Sequence, residues 1–426
     1  MKVVIVGCGA AGATAAQFAR KQDRTADIVV LEKGPYPQYS KCALPWVVSG
    51  ELAPEDTIEF SQEWFDKANI DLRLNTEVTD IDFESKAVHT ADGKEAYDVL
   101  ILATGARPFS PIELHGDAFF LRTLDDAAAV KEQAIAGAKA VVIGAGLIGL
   151  EAAEALRERD VEVTVVEFLP DLLLNMLDDD MARTVRQGLP DDIVFHFDTR
   201  VTSLTAGTPM QVTVERDGDE DTIKADFVLV ATGNRPNVGL AEQLADGAIR
   251  VDERCRTDIP DVYAVGDCTR YQDVTGSEVV VGLGSTAVRQ AVVAGRNAVG
   301  GDTTMPFLLN ARTTRLFDME IAAVGPTSES LPFSPVTGKF PGSTLPDYME
   351  GDRLLVKVLA DSHGRLMGAQ AIGPGATQHV NRFAVAIQYG LTLEQFADVE
   401  TAYAPLVAPV FDASTVACNI ARRRVR

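Results

Sequence analysis

A cysteine at position 42 stands in the segment Gln38–Trp46, a few residues beyond a glycine-rich loop and the strand that follows that loop. Cysteine attacks disulfides and peroxides as the thiolate, whereas the neutral thiol is inert. Lys41 and a nearby helix N-terminus would both favour the thiolate. A free cysteine is also often just a small buried apolar residue, so Cys42 has to be judged from the elements that position it.

The glycine-rich loop before this segment has the pattern of a dinucleotide site. Residues 7–12 read Gly-Cys-Gly-Ala-Ala-Gly, between the apolar run Val3–Val6 and a helical stretch that reaches Arg20. The first glycine allows a tight turn, the second lets a pyrophosphate approach the backbone, and the third lets helix and strand pack closely. The next predicted strand, Ile28–Leu31, ends in Glu32, which is placed to accept a hydrogen bond from a ribose 2′-hydroxyl.

The same unit recurs once. Residues 144–149 read Gly-Ala-Gly-Leu-Ile-Gly, before a predicted helix Leu150–Arg159 and a strand Val161–Val166 that ends in Glu167. The repeat predicts two bound dinucleotides. Glu167 would repel a 2′-phosphate and Phe168 offers no arginine in compensation, so the second loop favours NADH over NADPH.

Two apolar strands that end in a glycine turn with Arg-Pro behind it predict a chain that crosses between the nucleotide units and returns. They are Ile101–Pro108 and Val230–Pro236. From about Leu316 the pattern changes. Leu354–Leu359 and Leu366–Ile372 are typical of antiparallel strands, and no nucleotide loop occurs there, so we expect a third domain of α+β type.

Composition excludes several classes of protein. A chain of 426 residues predicts two or three domains. The net charge of −23 argues against nucleic acid or an anionic membrane as a partner. No run of 18 apolar residues and no signal-peptide pattern is present, so we expect a cytoplasmic protein. The cysteines are scattered without CxxC spacing, which predicts neither a metal site nor a disulfide framework; they are Cys8, Cys42, Cys255, Cys268 and Cys418.

Together these motifs resemble the pyridine nucleotide-disulfide oxidoreductase superfamily over nearly the whole chain. The branch with a single redox cysteine fits best, which comprises coenzyme A-disulfide reductases, NADH oxidases and NADH peroxidases. Besides both loops and both Thr-Gly-x-Arg-Pro turns, the matching motifs are Ala264-Val265-Gly266-Asp267, Cys42-Ala43-Leu44-Pro45 and Ala402-Tyr403-Ala404-Pro405.

The resemblance implies an α/β fold with two Rossmann-like dinucleotide-binding domains, one for FAD and one for NAD, and a C-terminal α+β dimerisation domain. We expect the FAD domain at residues 1–108 and 242–315, the NAD(P)H domain at 109–241 and the dimerisation domain at 316–426. The implied cofactors are FAD and NADH, with NADPH as an alternative coenzyme. The implied assembly is a homodimer whose active site is shared across the interface.

The resemblance also implies site residues. Cys42 would carry the redox chemistry, and Tyr403 would reach across the dimer to protonate the leaving thiolate. Tyr348 is a second candidate for this role, although a core tyrosine is the alternative reading of both. The implied cofactor contacts are Gly7, Gly9, Ala11, Gly12, Glu32, Lys33, Cys42, Val78, Ala103, Thr104, Gly105, Arg107, Gly144, Gly146, Leu147, Ile148, Glu167, Gly233, Gly266, Asp267, Ser285, Thr286 and Ala287.

The substrate is predicted from what stands near the cysteine. Relatives with an internal disulfide carry a second cysteine five residues later, where this chain has Val47, so Cys42 would cycle as a mixed disulfide or a sulfenic acid. Oxidases and peroxidases usually have a histidine where this chain has Ala10. The resemblance therefore favours a low-molecular-weight disulfide. The alternative is an NADH oxidase or peroxidase, and a redox-sensing flavoprotein ranks third.

Coenzyme A disulfide, or a related persulfide or polysulfide, is the small molecule that the resemblance suggests. Coenzyme A phosphates need basic or hydroxyl partners. The residues near the positions that the family uses, together with the neighbour of the cysteine, are Thr14, Arg20, Lys21, Lys41 and Lys67. Solvated surface charge is the alternative for each basic residue. Lys41 replaces a common asparagine and Phe411 stands where a basic contact is expected, so another small thiol stays open.

Overall fold

Short runs of β-branched and aliphatic residues form most of the strands, because such side chains pack well on a pleated surface. The computed structural model describes residues 1–280 and 282–425. Its strands, numbered β1 to β28 in chain order, are Lys2–Val6, Asp27–Leu31, Gln38–Tyr39, Ile58–Phe60, Asp71–Arg73, Val78–Asp82, Ala87–Thr90, Gly93–Ala96, Val99–Leu102, Ala106–Pro108, Ala118–Phe119, Lys139–Ile143, Glu162–Val166, Val194–His196, Arg200–Thr205, Met210–Arg216, Asp219–Ala225, Phe227–Val230, Asn234–Pro236, Ile249–Arg250, Val262–Ala264, Thr269–Gln272, Glu278–Val279, Arg312–Leu316, Met319–Val324, Val336–Ser343, Arg353–Ala360 and Leu366–Ile372.

Both loop helices begin within their glycine patterns, and the second begins at Leu147, ahead of the predicted start at Leu150. The α-helices, α1 to α10, are Ala10–Gln22, Leu44–Ser49, Gln62–Lys67, Leu124–Gln133, Leu147–Arg157, Asp179–Arg186, Gly284–Asn297, Ala376–Gln388, Leu393–Ala397 and Ala413–Arg422. Short 3₁₀ turns occupy Lys41–Ala43, Pro54–Thr57 and Gly239–Leu244. In the part of the chain that the structure describes, no helix combines the length and apolarity that a membrane crossing requires.

Two parallel five-stranded sheets carry the two glycine-rich loops. The strand orders are β21-β9-β1-β2-β5 and β11-β18-β12-β13-β14. In each sheet the strand before the loop pairs in parallel with the strand that ends in the acid, with Val6 opposite Leu31 and Ile143 opposite Val166. Parallel strands covered on both faces need continuous apolar runs, which these strands have. The predicted pair of Rossmann-like units is confirmed.

The C-terminal unit is an antiparallel sheet of order β24-β25-β28-β27-β26, with α8 and α10 packed against it. The two strands predicted here pair antiparallel, with Leu355 opposite Ile372. The α+β prediction for this part of the chain is confirmed. Strand β24 begins at Arg312, so the sheet starts ahead of the boundary expected at residue 316.

The two Arg-Pro connections lie against each other, although 127 residues separate their prolines, Pro108 and Pro236. Strands β10 and β19 pair antiparallel, with Arg107 opposite Arg235. The Thr104 hydroxyl donates to the Asn237 carbonyl at 2.7 Å, and the Asn237 amide donates to the Thr104 carbonyl at 2.9 Å. These bonds hold the outgoing and returning chains together between the two nucleotide units.

Helix α2 packs outside the unit to which it belongs in sequence. Its buried residues Leu44, Val47 and Val48 join the core of the second nucleotide unit, with Leu124 of α4 and Leu150 of α5. The 3₁₀ turn before α2 is therefore held at the junction of the two nucleotide units. That turn carries Cys42.

Candidate active site

Cys42 is the accessible thiol of the chain. It occupies the middle of the 3₁₀ turn Lys41–Ala43, directly before α2, and its side chain is exposed. The other four cysteines, all within the described residues, are buried: Cys8, Cys255, Cys268 and Cys418. Reactive cysteines are partly exposed and structural cysteines are buried, so exposure distinguishes Cys42 from the other four, and its redox role stays a prediction.

The charges around Cys42 come from both nucleotide units. Burial by surrounding protein on its other sides raises the pKa of the Cys42 thiol, and Glu151 of α5 and Asp267 beyond β21 raise it further, while Arg122 lowers it. Burial and these acids favour the neutral thiol, and Lys41 is not among the strongest influences on Cys42. That Lys41 and a helix N-terminus favour the thiolate stays a prediction.

Lys41 lies among the groups assigned to FAD. Although exposed on one side, it is crowded by protein, and this burial, with help from Arg122, lowers its pKa to about 8. Glu32 and Asp267 act in the opposite direction. Its electrostatic neighbours are thus FAD-unit acids rather than the other basic residues proposed for substrate.

In the first loop the chain itself requires two of the three glycines. A Cβ on Gly7 would lie 2.4 Å from the Ala103 carbonyl oxygen, and a Cβ on Gly12 would lie 1.8 Å from the Gly7 carbonyl oxygen. A Cβ on Gly9 would meet no atom within 4 Å. The chain leaves space at Gly9, at the N-terminus of α1, where backbone N–H groups favour a phosphate. These residues fit the pyrophosphate of FAD.

The second loop repeats this arrangement. A Cβ on Gly144 would lie 2.6 Å from the Ala231 carbonyl oxygen, and a Cβ on Gly149 would lie 2.0 Å from the Gly144 carbonyl oxygen. A Cβ on Gly146 would again meet nothing within 4 Å. Leu147 and Ile148 form the first turn of α5 beside this space. The second loop therefore fits a second pyrophosphate.

Each loop is tied to the acid that ends the neighbouring strand. The Cys8 amide donates to the Glu32 carboxylate at 2.6 Å, and the Ala145 amide donates to the Glu167 carboxylate at 2.6 Å. The other oxygen of Glu167 accepts from the Leu169 amide at 2.8 Å. Both carboxylates are thus oriented by backbone groups and keep acceptor capacity for a ribose hydroxyl.

The Gly266-Asp267 pair lies where two helices converge. A Cβ on Gly266 would lie 3.0 Å from Cβ of Ala11 in α1 and 3.6 Å from Cβ of Ala287 in α7. Asp267 accepts a hydrogen bond from Arg122 at 2.9 Å. The structure therefore brings Ala11, Ala287 and the pair together at the first loop.

The remaining cofactor candidates are spread along the edge of the first unit and its connections. Ser285 and Thr286 lie in the first turn of α7, and Val78 is buried at the start of β6. Arg107 donates to the Pro236 carbonyl at 3.3 Å across the paired connections. Lys33, Gly105 and Gly233 lie in the segments that follow β2, β9 and β18.

The two candidate tyrosines form a pair. The Tyr348 and Tyr403 hydroxyl oxygens lie 2.9 Å apart, and both side chains are exposed on the C-terminal unit. The hydrogen bond between the two hydroxyl groups raises the pKa of Tyr348. Because both side chains are exposed, neither residue is a core tyrosine, which was the alternative interpretation.

An apolar surface continues from this pair. We call residues 403–411 the apolar segment; its large exposed side chains are Tyr403, Leu406, Val407, Val410 and Phe411. Contiguous exposed apolar residues of this kind mark interaction surfaces. The segment is followed by Asp412, which caps α10.

The basic residues considered for substrate have different environments. The Arg20 guanidinium donates hydrogen bonds to backbone carbonyls, including those of Ala68 at 3.0 Å and Asn69 at 2.6 Å. Lys67 is exposed and pairs with Glu63 at 2.6 Å. Lys21 and Arg296 both lie over the Phe18 ring, at 4.5 and 5.3 Å.

Thr14 is buried within α1. Of the substrate candidates, Lys21 and Lys67 keep the charge and access that a phosphate needs.

Sequence reasoning missed three residues of the site. Arg122 contacts Asp267 across 145 positions, and the Thr314 hydroxyl donates to Glu151 at 2.7 Å across 163 positions. Burial raises the pKa of Glu151, although the Thr314 bond opposes this effect. Arg122 and Thr314 carry no motif that points to these contacts, and Glu151 follows the second loop without any local sign of its nearness to Cys42.

Comparison with protein families places two models on this chain. The model described as pyridine nucleotide-disulphide oxidoreductase matches residues 1–298, and the model of the corresponding dimerisation domain matches residues 312–414. The second match coincides with the start of β24 at Arg312.

Curated proteins and solved structures give the same picture. The chain is 34% identical to a protein named NADH oxidase from Methanocaldococcus jannaschii, covering 100% of this chain and 99% of that protein. It is 31% identical to an NAD(P)H coenzyme A polysulfide/persulfide reductase from Pyrococcus horikoshii, covering 98% of both. The structure of an NAD-dependent persulfide reductase from A. fulgidus matches with a TM-score of 0.94 and 33% identity, covering 100% of this chain and 83% of that one.

Proposed function

Because this chain belongs to the pyridine nucleotide-disulfide oxidoreductase family, we propose that it reduces a low-molecular-weight disulfide or persulfide through Cys42. The chain is an oxidoreductase, and its cofactors are FAD and a nicotinamide nucleotide. The observation that carries the proposal is that Cys42 alone among the cysteines is exposed, beside charges of both nucleotide units.

The chain's own residues account for cofactor binding. Gly9 and Glu32 would hold the FAD pyrophosphate and ribose, and Asp267, oriented by Arg122, would accept from the sugar alcohol. Gly146 and Glu167 would hold the nicotinamide nucleotide in the same way. FAD, when bound, supplies two-electron transfer between nicotinamide and sulfur.

Cys42 is the single cysteine in the proposed sulfur chemistry. Its thiolate attacks one sulfur of the disulfide, forms a mixed disulfide and displaces the other half as a thiolate, which takes a proton from the partner's Tyr403. Two electrons and a second proton then release the second thiol and restore Cys42. Because Val47 occupies the position of a resolving cysteine and is buried, the small thiol stays on Cys42 between these steps.

The tyrosine pair and the apolar segment support a homodimer in which each active site uses both chains. The pair is exposed, its hydroxyls hydrogen-bond, and the apolar segment beside it lies in the dimerisation unit. The raised pKa keeps Tyr348 protonated, so its hydroxyl can donate a hydrogen bond to Tyr403 when Tyr403 gives its own proton to the leaving thiolate. We expect the partner's pair to face Cys42.

A substrate that carries coenzyme A is favoured over oxygen or peroxide. Ala10 stands where a histidine would serve a sulfenic acid. Lys21, stacked on Phe18 beside Arg296, and the exposed Lys67 offer charge to phosphates. The relative from P. horikoshii carries coenzyme A polysulfide/persulfide in its name.

NADH oxidase activity is the second candidate, because the relative from M. jannaschii carries that name. This activity would use Cys42 as a sulfenic acid and would release water from it on reduction. NADH oxidase activity requires no small thiol as a substrate and no residues that bind the phosphates of coenzyme A.

The test compares the rate of NADH or NADPH consumption with different oxidants and measures the intact mass of the protein. We expect NADH or NADPH consumption with coenzyme A disulfide to exceed consumption with oxygen, and Cys42→Ser to lower the disulfide rate by at least about 100-fold. The intact mass of the purified protein should fall on reduction by the mass of one small thiol. Rapid oxygen consumption without any disulfide, with a mass loss of one oxygen atom, would instead establish the oxidase. A Cys42→Ser variant with unchanged disulfide activity would refute both.

A further inference from the structure

An arginine lies over the aromatic residue that follows the acid of the second loop. The Arg200 guanidinium lies over the Phe168 ring, 4.9 Å from the ring centre, and both side chains are exposed. Phe168 directly follows Glu167, the acid that comes directly after β13. The sequence alone offered no arginine at this place, because Arg200 lies 33 positions further along the chain.

Backbone pairing keeps Arg200 at this edge of the sheet. The Glu167 amide donates to the His196 carbonyl at 2.8 Å, and the Thr199 amide donates to the Glu167 carbonyl at 2.9 Å. Arg200 directly follows Thr199, which makes this backbone contact with Glu167, and it is the first residue of β15. Its position follows from the sheet and not from a mobile loop.

The two charged groups differ in how they are engaged. Both oxygens of Glu167 already accept from backbone amides of Ala145 and Leu169, so its carboxylate has one orientation. Among residues 1–280 and 282–425, no hydrogen bond or ion pair involves the Arg200 side chain. In a chain of net charge −23, a guanidinium that stacks on an aromatic ring and keeps all its donors is prepared for an anion.

We propose that Arg200 is a specificity-determining residue that binds the 2′-phosphate of NADPH. In this arrangement Glu167 accepts from the free 2′-hydroxyl of NADH, while Arg200 on Phe168 offers a planar pair of donors to the phosphate of NADPH. The protein therefore uses both nucleotides. Glu167 and the nearby Asp198 repel the phosphate, so NADH remains the better substrate.

The test is binding, so it does not depend on which oxidant Cys42 reduces. Calorimetry on the FAD-loaded protein should show that Arg200→Gln weakens NADP⁺ binding by about 10-fold or more and changes NAD⁺ binding by less than about 2-fold. The matched control is Arg216→Gln, an exposed arginine at the end of β16, which should change neither affinity. Added salt should weaken NADP⁺ binding more in the wild type than in Arg200→Gln.

A second variant tests the opposing acid. Glu167→Gln should strengthen NADP⁺ binding in the wild-type background, and Arg200→Gln should cancel most of that gain if both groups face the same phosphate. Equal loss of NAD⁺ and NADP⁺ affinity in Arg200→Gln would overturn the proposal. So would a wild-type protein that binds NAD⁺ but shows no NADP⁺ binding.

Discussion

At the scale of single residues, the ionisation of Cys42 is set by charges that are remote in sequence. After burial, the strongest influence that raises the pKa of its thiol is Glu151, which approaches from the second nucleotide unit. Arg122 opposes it. A thiol must lose its proton to attack. These two side chains therefore adjust the reactivity of Cys42, although both are distant from it in sequence.

Glu151→Gln should therefore make Cys42 more reactive. The substitution removes a negative charge but keeps an oxygen that can accept from Thr314, so the pKa of Cys42 should fall. We expect alkylation by iodoacetamide at pH 7 to accelerate by about 3- to 10-fold, since one pKa unit is a tenfold change in thiolate. The rate measured from pH 6 to 10 gives the pKa directly.

The matched control is Glu154→Gln, one helical turn further along α5. Burial also raises the pKa of Glu154, but its carboxylate accepts from the Phe317 amide and is not among the strongest influences on Cys42. This variant should leave the alkylation profile unchanged. An equal acceleration in both variants would mean that helix α5 has loosened and that charge is not the cause.

At the scale of elements, the two loops illustrate what a sequence can and cannot specify. Gly7 and Gly12 are required by contacts inside the chain, and Gly9 is not. The contact of Gly12 with Gly7 is local in sequence, so the glycine pattern could predict the turn and the helix, whereas the contact of Gly7 with Ala103 joins distant segments. The convergence of α7 on Gly266 and of α2 on the second unit's core depends on packing between distant segments, and no local pattern encodes it.

Alanine at the open glycine of each loop should separate the two cofactor sites. Gly9 and Gly146 have extended backbone angles that alanine adopts without strain, and a Cβ there meets no protein atom. Gly9→Ala should fold but bind FAD at least about 10-fold more weakly, because the methyl group occupies the phosphate position. Gly146→Ala should keep its flavin and lose nucleotide affinity to a similar extent.

Flavin absorbance and NADH titration measure the two effects separately. Far-UV circular dichroism checks that each variant is folded. If Gly9→Ala retained full flavin and Gly146→Ala bound NADH normally, the open side of these glycines would not be where the pyrophosphates lie.

A buried ion pair joins the second and third units. Lys357 of β27 lies 2.6 Å from both Asp178 and Asp180, and the side chains of Lys357 and Asp178 are only 11% and 6% exposed. Burial raises the pKa of Asp178, but hydrogen bonds from Lys357 and Ser328 outweigh burial and hold that pKa below its usual value. The pair therefore stabilises the folded protein above about pH 4.

Lys357→Met should lower the free energy of unfolding by about 3 kcal/mol at pH 7, because it leaves Asp178 charged and buried. The penalty should shrink as the pH falls below about 4, where the aspartate takes up a proton. Urea titration of the FAD-loaded protein measures both. Lys339→Met is the control, since Lys339 is about one-third exposed and its pair with Asp180 should contribute less than about 1 kcal/mol. Equal losses in both variants would contradict the assignment.

At the scale of the whole molecule, Cys42 and the tyrosine pair are the parts of the proposed site that the chain places in different units. Cys42 lies at the junction of the nucleotide units, and the tyrosines lie beside the apolar segment of the third. Motifs in the sequence predicted Cys42 and Tyr403, but the distance between them in an assembly depends on how two chains meet. A heterodimer of two different variant chains can test whether the site is shared between chains.

The decisive assembly is a heterodimer of Cys42→Ser with Tyr348→Phe/Tyr403→Phe, purified through two different tags. If the tyrosines serve the partner's cysteine, one of its two sites combines an intact Cys42 with an intact tyrosine pair, so about half of the wild-type disulfide activity should return. The control heterodimer puts all three substitutions in one chain and none in the other, and it should be inactive because each site then lacks one group. Activity in the control and none in the first heterodimer would show that each chain supplies its own tyrosines. The two assemblies contain the same substitutions, so stability and cofactor content are matched and only the geometry of sharing differs.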